Sequence, residues 1–437
     1  MKRLLDVRMI LALTIALLVG AQSAVAAEEE LTEAPRSPAR SRGEGPYSQL
    51  ILRGVTLIDG TGSPARGPMD IVIEGNRITG IHSVGAPGTP IDESVRPKAA
   101  EGATELDLSG HYVLPGFVDL HGHLGGSIRE TPAEYVLKLW MGHGITTISD
   151  PGSGNGVEWT LDHKRRSEAN EITAPRIEVY SRFGQDHEGP ITNAEEARYW
   201  VRMTADRGAD GIKFFGARPD IMGAAIDEAG KVGLLTTCDH AQTEVVWQNA
   251  LDSARMGLTS MQHWYGLPEA MFEGQLVQSY PVGYDYNNEQ DRFSEAGRLW
   301  KQSAKPFSDK WNDVMNELVS LDFTIVPTFH AYEATRDLSR MMRAEWHEKH
   351  TLPALWRFYL PDRLAHASYW FYWGTEEEVA WKENYKLWMT FINEYKNRRG
   401  RVAVGSDSGY SFNLYGFSFV REMELLREAG FHPLEVV

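Results

Sequence analysis

A chain of 437 residues, 42% hydrophobic and 24% charged, has room for one large core plus a smaller domain and the composition of an ordinary globular protein. Its net charge of −16 argues against a nucleic-acid surface and against a basic membrane-binding face. A single cysteine, Cys238, excludes an internal disulfide, so packing must supply the stability.

Lys2, Arg3 and Arg8 flank an apolar run over 9–21, and Ala24-Val25-Ala26 fits the small-x-small cleavage rule. The run is short for a bilayer span. It predicts a signal peptide over 1–26 and a periplasmic or secreted product that leaves the membrane once the leader is removed. Residues 27–47 mix charge, Pro and Gly without apolar periodicity, as a disordered linker does. Short alternating segments follow from Leu50, with Gly75-Asn76 as a hairpin turn, and predict a small β-sandwich domain over 48–113 that is incomplete within this chain.

From 114 to 437 strands alternate with helical stretches, the pattern of a parallel α/β sheet. The expected strands are 116–121, 145–150, 176–182, 211–215, 234–240, 260–264, 323–329 and 401–407, with amphipathic helices such as 194–207 and 243–256 between them. Two connections, 265–322 and 330–400, exceed what one crossover helix needs. The second carries Trp346, Trp356, Trp370, Trp373, Trp381 and Trp388 with Tyr359, Tyr369, Tyr372, Tyr385 and Tyr395 interleaved. It reads as an extra helical layer with its own aromatic core, with a substrate lid as the functional alternative.

Six residues with metal-binding chemistry fall at the ends of these strands. His121 and His123 close VLPGFVDLHGHL, and side chains two apart on a strand share a face. Lys213 lies in GADGIKFFG among apolar neighbours; a buried ammonium without a partner is costly, and the neutral amine can react with carbon dioxide. A buried acid paired with Lys213 is the structural alternative. His240 ends LLTTCDHA, His263 lies in TSMQHW, and Asp407 ends RVAVGSDSG. Cys238, two before His240, could be a thiolate ligand but reads better as barrel filling.

This set, in this order, resembles the amidohydrolase superfamily, and its imidazolonepropionase-like and prolidase-like branch through GIKFF, DHA, QH and GSDSG. The resemblance spans 50–437. It implies an α/β fold, a (β/α)8 TIM barrel beside the small β domain, in a family whose members continue beyond the point reached at Val437. It implies two divalent ions, zinc being the first choice for N/O ligands. His121, His123 and Asp407 would hold one ion and His240 and His263 the other. Lys213, carboxylated by carbon dioxide or bicarbonate, would bridge them.

The implied reaction is hydrolysis of an amide bond, in a dipeptide or N-acyl amino acid, by a hydroxide shared between the ions, with Asp407 as catalytic proton shuttle. Arg182, His187 and Arg218 are candidates for a substrate carboxylate and Tyr410 for the carbonyl oxygen. Trp264, where the family commonly has Gly, is expected to narrow the pocket. The expected partner is a small molecule with an amide bond, and a homo-oligomer is compatible with this reading. The alternatives are a cyclic-amide hydrolase or deaminase of the same superfamily and a non-catalytic barrel serving as a scaffold.

Overall fold

Alternation of apolar and polar residues builds the first sheet. The computed structural model describes residues 46–126, 130–362 and 372–437. The expected leader, nearly all of the linker, and Tyr369 and Trp370 lie outside them. β1 (Gln49–Leu57) pairs antiparallel with β2 (Arg66–Glu74), which turns through Gly75 and Asn76 into β3 (Arg77–Ser83). Gly75 takes a φ of 57°, which a glycine adopts without steric cost. On its other edge β1 takes β4 (Thr104–Asp107) and β5 (Tyr112–Val113) in parallel. These strands form one separate five-stranded sheet whose buried face carries Val55, Leu57, Met69 and Ile71.

The second sheet has eight parallel strands in chain order: β6 (Phe117–Asp119), β7 (Ile145–Pro151), β8 (Arg176–Arg182), β9 (Gly211–Phe214), β10 (Leu235–Cys238), β11 (Ser260–Gln262), β12 (Thr324–Val326) and β13 (Arg401–Val402). Each falls within or beside its expected segment, and most stop short of it. The residues past the strand ends turn aside, as where Phe329–Tyr332 winds into a 3-10 turn. Just past β6 and β13 the two segments meet: Leu120 N–H donates to Val404 O at 2.9 Å and Asp407 N–H to His121 O at 2.8 Å. These bonds join the first and last strands into a TIM barrel.

The helix expected over 194–207 forms at Ala194–Asp206, capped by Asn193. That expected over 243–256 is confined to Ala250–Arg255. Asn249 starts it there, accepting from the N–H groups of Leu251 and Asp252 while Asp252 accepts from its own. The connection over 330–400 is dominated by Thr375–Asn397, which buries Trp381, Tyr385, Trp388 and Tyr395. Trp264 does not narrow the pocket: it is fully buried among Tyr265, Tyr332, Trp381 and Trp388. Among the described residues no helix is long and apolar enough to cross a membrane.

The seam leaves no room at Gly405, where a Cβ would meet Val326 Cγ1 at 2.4 Å and His121 Cβ at 2.8 Å. Gly405→Ala should therefore lower the stability by about 1–3 kcal/mol, the usual cost of overpacking. Urea denaturation measures this, and an unchanged midpoint would show that the seam is looser than described.

Candidate metal centre

Backbone strain marks the mouth of the barrel. His263, Thr328 and Asp407, which follow β11, β12 and β13, have φ of 62°, 52° and 48°. Left-handed conformations cost non-glycine residues free energy and persist where surrounding structure imposes them, often at functional sites. Here they swing side chains at successive strand ends toward one point. The ligand atoms of His121, His263 and Asp407 all lie within 4.8 Å of one another.

Hydrogen bonds fix which ring nitrogens face that point. Gln262 donates its amide to Thr237 Oγ1 at 3.0 Å, so its carbonyl oxygen accepts from His121 Nδ1 at 2.8 Å. His121 Nε2 then carries a lone pair, 3.4 Å from Asp407 Oδ1. Thr328 donates to Pro327 O at 2.7 Å and accepts from His263 Nδ1 at 2.6 Å. His263 Nε2 is thereby left to face the cluster, 3.8 Å from Asp407 Oδ2. Orientation of a ligand imidazole through its second nitrogen is the usual arrangement in metal sites.

His123 Nε2 lies 2.8 Å from Asp407 Oδ1, and its Nδ1 is 3.5 Å from the buried Asp150. Burial favours the neutral Asp407 carboxyl, but His121, His123 and His263 together hold it well below the ordinary carboxylate range. Burial holds the His121 imidazole well below its usual value, which keeps the ring neutral.

His240 stands apart from this cluster. Its Nε2 lies 2.8 Å from Ser253 Oγ, and its Nδ1 is buried without a hydrogen-bond partner. Burial lowers its pKa to about 4, so the ring is neutral. A buried imidazole nitrogen without a partner is costly unless something else occupies its lone pair.

Lys213 is buried on β9, and its Nζ is 3.5 Å from Asp239 Oδ2. The same oxygen is 3.4 Å from His263 Nε2. Asp239 did not figure among the expected site residues. The signal for it is parity: Thr237 pairs with Lys213 across β9 and β10, and Asp239 is two residues on, pointing the same way. Cys238 packs into the hydrophobic core on the other side.

No family model matches the chain. Adenine deaminase 2 of Rhizobium etli is 32% identical over 138 residues, which cover 30% of this chain and 20% of that protein. N-acyl-D-aspartate deacylase of Alcaligenes xylosoxydans xylosoxydans is 34% identical over 216 residues, covering 49% and 36%. The chain thus spans only 20% to 36% of the length of these curated relatives. Among solved structures, a Xaa-Pro dipeptidase with bound methionine superposes with a TM-score of 0.55 at 15% identity, over 89% of this chain and 86% of that one. Bottromycin amidohydrolase does so with a TM-score of 0.59 at 18% identity, over 94% and 78%. These relatives and structural neighbours support a place in the amidohydrolase superfamily.

A cavity of about 480 Å³ opens over this cluster, lined by all six expected ligands together with Asp239. Arg182 lines it, its Nε donating to Gly152 O at 2.7 Å, and so does Tyr410, edge-on to His123. His187 and Arg218 do not. His187 bonds to Gly189 within its own loop, and the exposed Arg218 pairs with Asp220 beside it. Arg292 takes a place in the wall that strand-end reading did not foresee. It comes from the helix Glu289–Ala296 in the connection after β11, with its Nη2 on Glu289 at 2.6 Å.

The donor set fits divalent ions: neutral imidazoles, carboxylates and an orphaned ring nitrogen converge under one cavity. Gln262→Leu removes the group that orients His121 while nearly preserving volume. Metal affinity should fall about 10–100-fold with the fold intact, as read by metal titration alongside a thermal melt. Unchanged affinity would mean the His121 ring is held by something else.

Proposed function

We propose that this protein is an exported, metal-dependent amidohydrolase that cleaves the amide bond of a dipeptide or an N-acyl amino acid. The observation that carries the reading is the convergence of His121, His123, His263 and Asp407, two of them on strained backbone, beneath a cavity that Lys213 and His240 also line. Relatives named as deacylases and neighbours named as dipeptidase and amidohydrolase support the bond type. Export rests on the leader pattern over 1–26.

His121 and His123, with Asp407, would hold one ion; His263 through Nε2 and His240 through its unpartnered Nδ1 would hold the other. Lys213 would bridge them as a carbamate: the Nζ amine adds to carbon dioxide, an N–C bond forms, and one proton leaves to solvent. The ions, zinc first among them for this donor set, would polarise the scissile carbonyl and bring the pKa of a water toward neutrality.

The remaining steps belong to the chain. Asp407, kept ionised by its three histidines, accepts the proton of the attacking water and delivers it to the leaving nitrogen. Arg182 gives the cavity a cation for a substrate carboxylate, and Tyr410 a phenol for the carbonyl oxygen. A second reading, a deaminase acting on an exocyclic amine with the same ligands, is favoured by the relatives named adenine deaminase.

The deciding experiment measures metal content of the purified protein and of Lys213→Ala, then hydrolysis of a panel of dipeptides, N-acyl amino acids and aminopurines. About two equivalents in the parent, a sharp loss in the variant and turnover of an amide are expected. A folded, metal-free parent prepared with zinc and bicarbonate would sink the reading, and turnover of aminopurines alone would turn it into the second. Asp407→Asn should lower kcat by about 10²–10⁴-fold, the range for a lost general acid–base group.

A further inference from the structure

Asp239 has no role in the scheme above, yet it is the carboxylate nearest Lys213. Its place follows from register. Thr237 opposes Lys213 across the parallel pair and takes a hydrogen bond from Gln262, the residue that orients His121. Side chains two apart share a face, so Asp239 enters the barrel one step nearer the mouth than Thr237. There its Oδ2 lies 3.4 Å from His263 Nε2 and 3.5 Å from Lys213 Nζ.

Those separations are informative. A charge-assisted N–H···O bond spans about 2.7–2.9 Å. Two ligands on one tetrahedral ion with bonds of about 2.0–2.1 Å stand roughly 3.3 Å apart. The His263–Asp239 contact of 3.4 Å has the length of a ligand–ligand edge, as does the His121–Asp407 contact of 3.4 Å. His263 Nδ1 is already committed to Thr328, so Nε2 is the nitrogen that faces Asp239.

We propose that Asp239 is a metal ligand, completing the shell of the ion held by His240 and His263. This rests on the proposed function and extends it. The fifth strand then contributes two successive residues to one ion, Asp239 from the barrel face and His240 from the turn beyond β10. With a carbamate on Lys213 the shell is two nitrogens and two oxygens, the four-coordinate N/O set that zinc accepts. The competing role for Asp239 is that of a counter-ion to an unmodified Lys213, which touches no metal.

Titration of the metal-free protein with Co(II), followed by its visible absorption, separates these roles, because that absorption reports the donor atoms around the ion. Asp239→Asn, shown to be folded by a thermal melt, should bind the second equivalent at least tenfold more weakly than the parent and, when filled, give a changed spectrum. His240→Asn serves as the comparator for loss of a ligand to the same ion. Parent-like affinity and spectrum in Asp239→Asn would overturn the proposal and leave the proposed function standing. Weakened binding with a parent-like spectrum at saturation would also overturn it, assigning Asp239 the counter-ion role. A parent that takes up no Co(II) would bring down the proposed function and this inference with it.

Discussion

The geometry of the centre depends on the seam where the first and last strands meet. Asp407 N–H donates to the carbonyl of His121, so two groups that converge on one point are also neighbours along the backbone. The Asp119 carboxylate, fully buried, accepts from the N–H groups of both His121 and Ser406 through one oxygen. A buried carboxylate is costly unless such donors meet it. Here it ties the turn after β6 to the turn after β13, and Gly405 lets the two backbones approach. Barrel closure and ligand placement are therefore one structural event, and a defect at the seam would be felt at both.

The long connections complete the support. Tyr332 stacks on Trp381 at 5.8 Å and 14° and meets the His263 ring edge-on at 5.5 Å. Trp264, next along from His263, is held by Tyr265, Trp381 and Trp388. The left-handed conformation of His263 is thus flanked by packed aromatic groups, which is how strain of that kind is sustained. The aromatic layer between strands seven and eight is chiefly core, and it reaches the cavity through Tyr332.

Much of this was legible in the sequence because strand ends are local. Apolar runs of strand length, ended by His121, His263 or Asp407, announce both a strand and a residue at its mouth. What escaped reading depends on relations between strands or on tertiary packing. Asp239 is visible only once Thr237 is paired with Lys213, because parity on one strand is defined by its neighbour. Arg292 arrives from a connection whose course no local periodicity fixes. The helix over 243–256 shrank because Asn249 caps a shorter one, a local signal that the amphipathic pattern overrode. His187 and Arg218 follow strands three and four, but proximity in sequence does not place a side chain, and both are satisfied within their own loops.

Charge gives an independent reason to expect cations here. Asp407 and Asp239 are both held in the ionised form against the cost of burial, by His121, His123 and His263 for the one and by His263 and Lys213 for the other. Only one fixed cation, the Lys213 ammonium, accompanies the two carboxylates among the seven ligand candidates. Conversion of that amine to a carbamate would remove it and add a third anion. Taking charges away from water costs several kcal/mol per ion, even after relaxation. An arrangement of buried acids, imidazoles and an orphaned nitrogen is hard to reconcile with a purely structural role, because apolar packing would be more favourable. Divalent cations would reverse that balance, turning each unfavourable neighbour into a ligand.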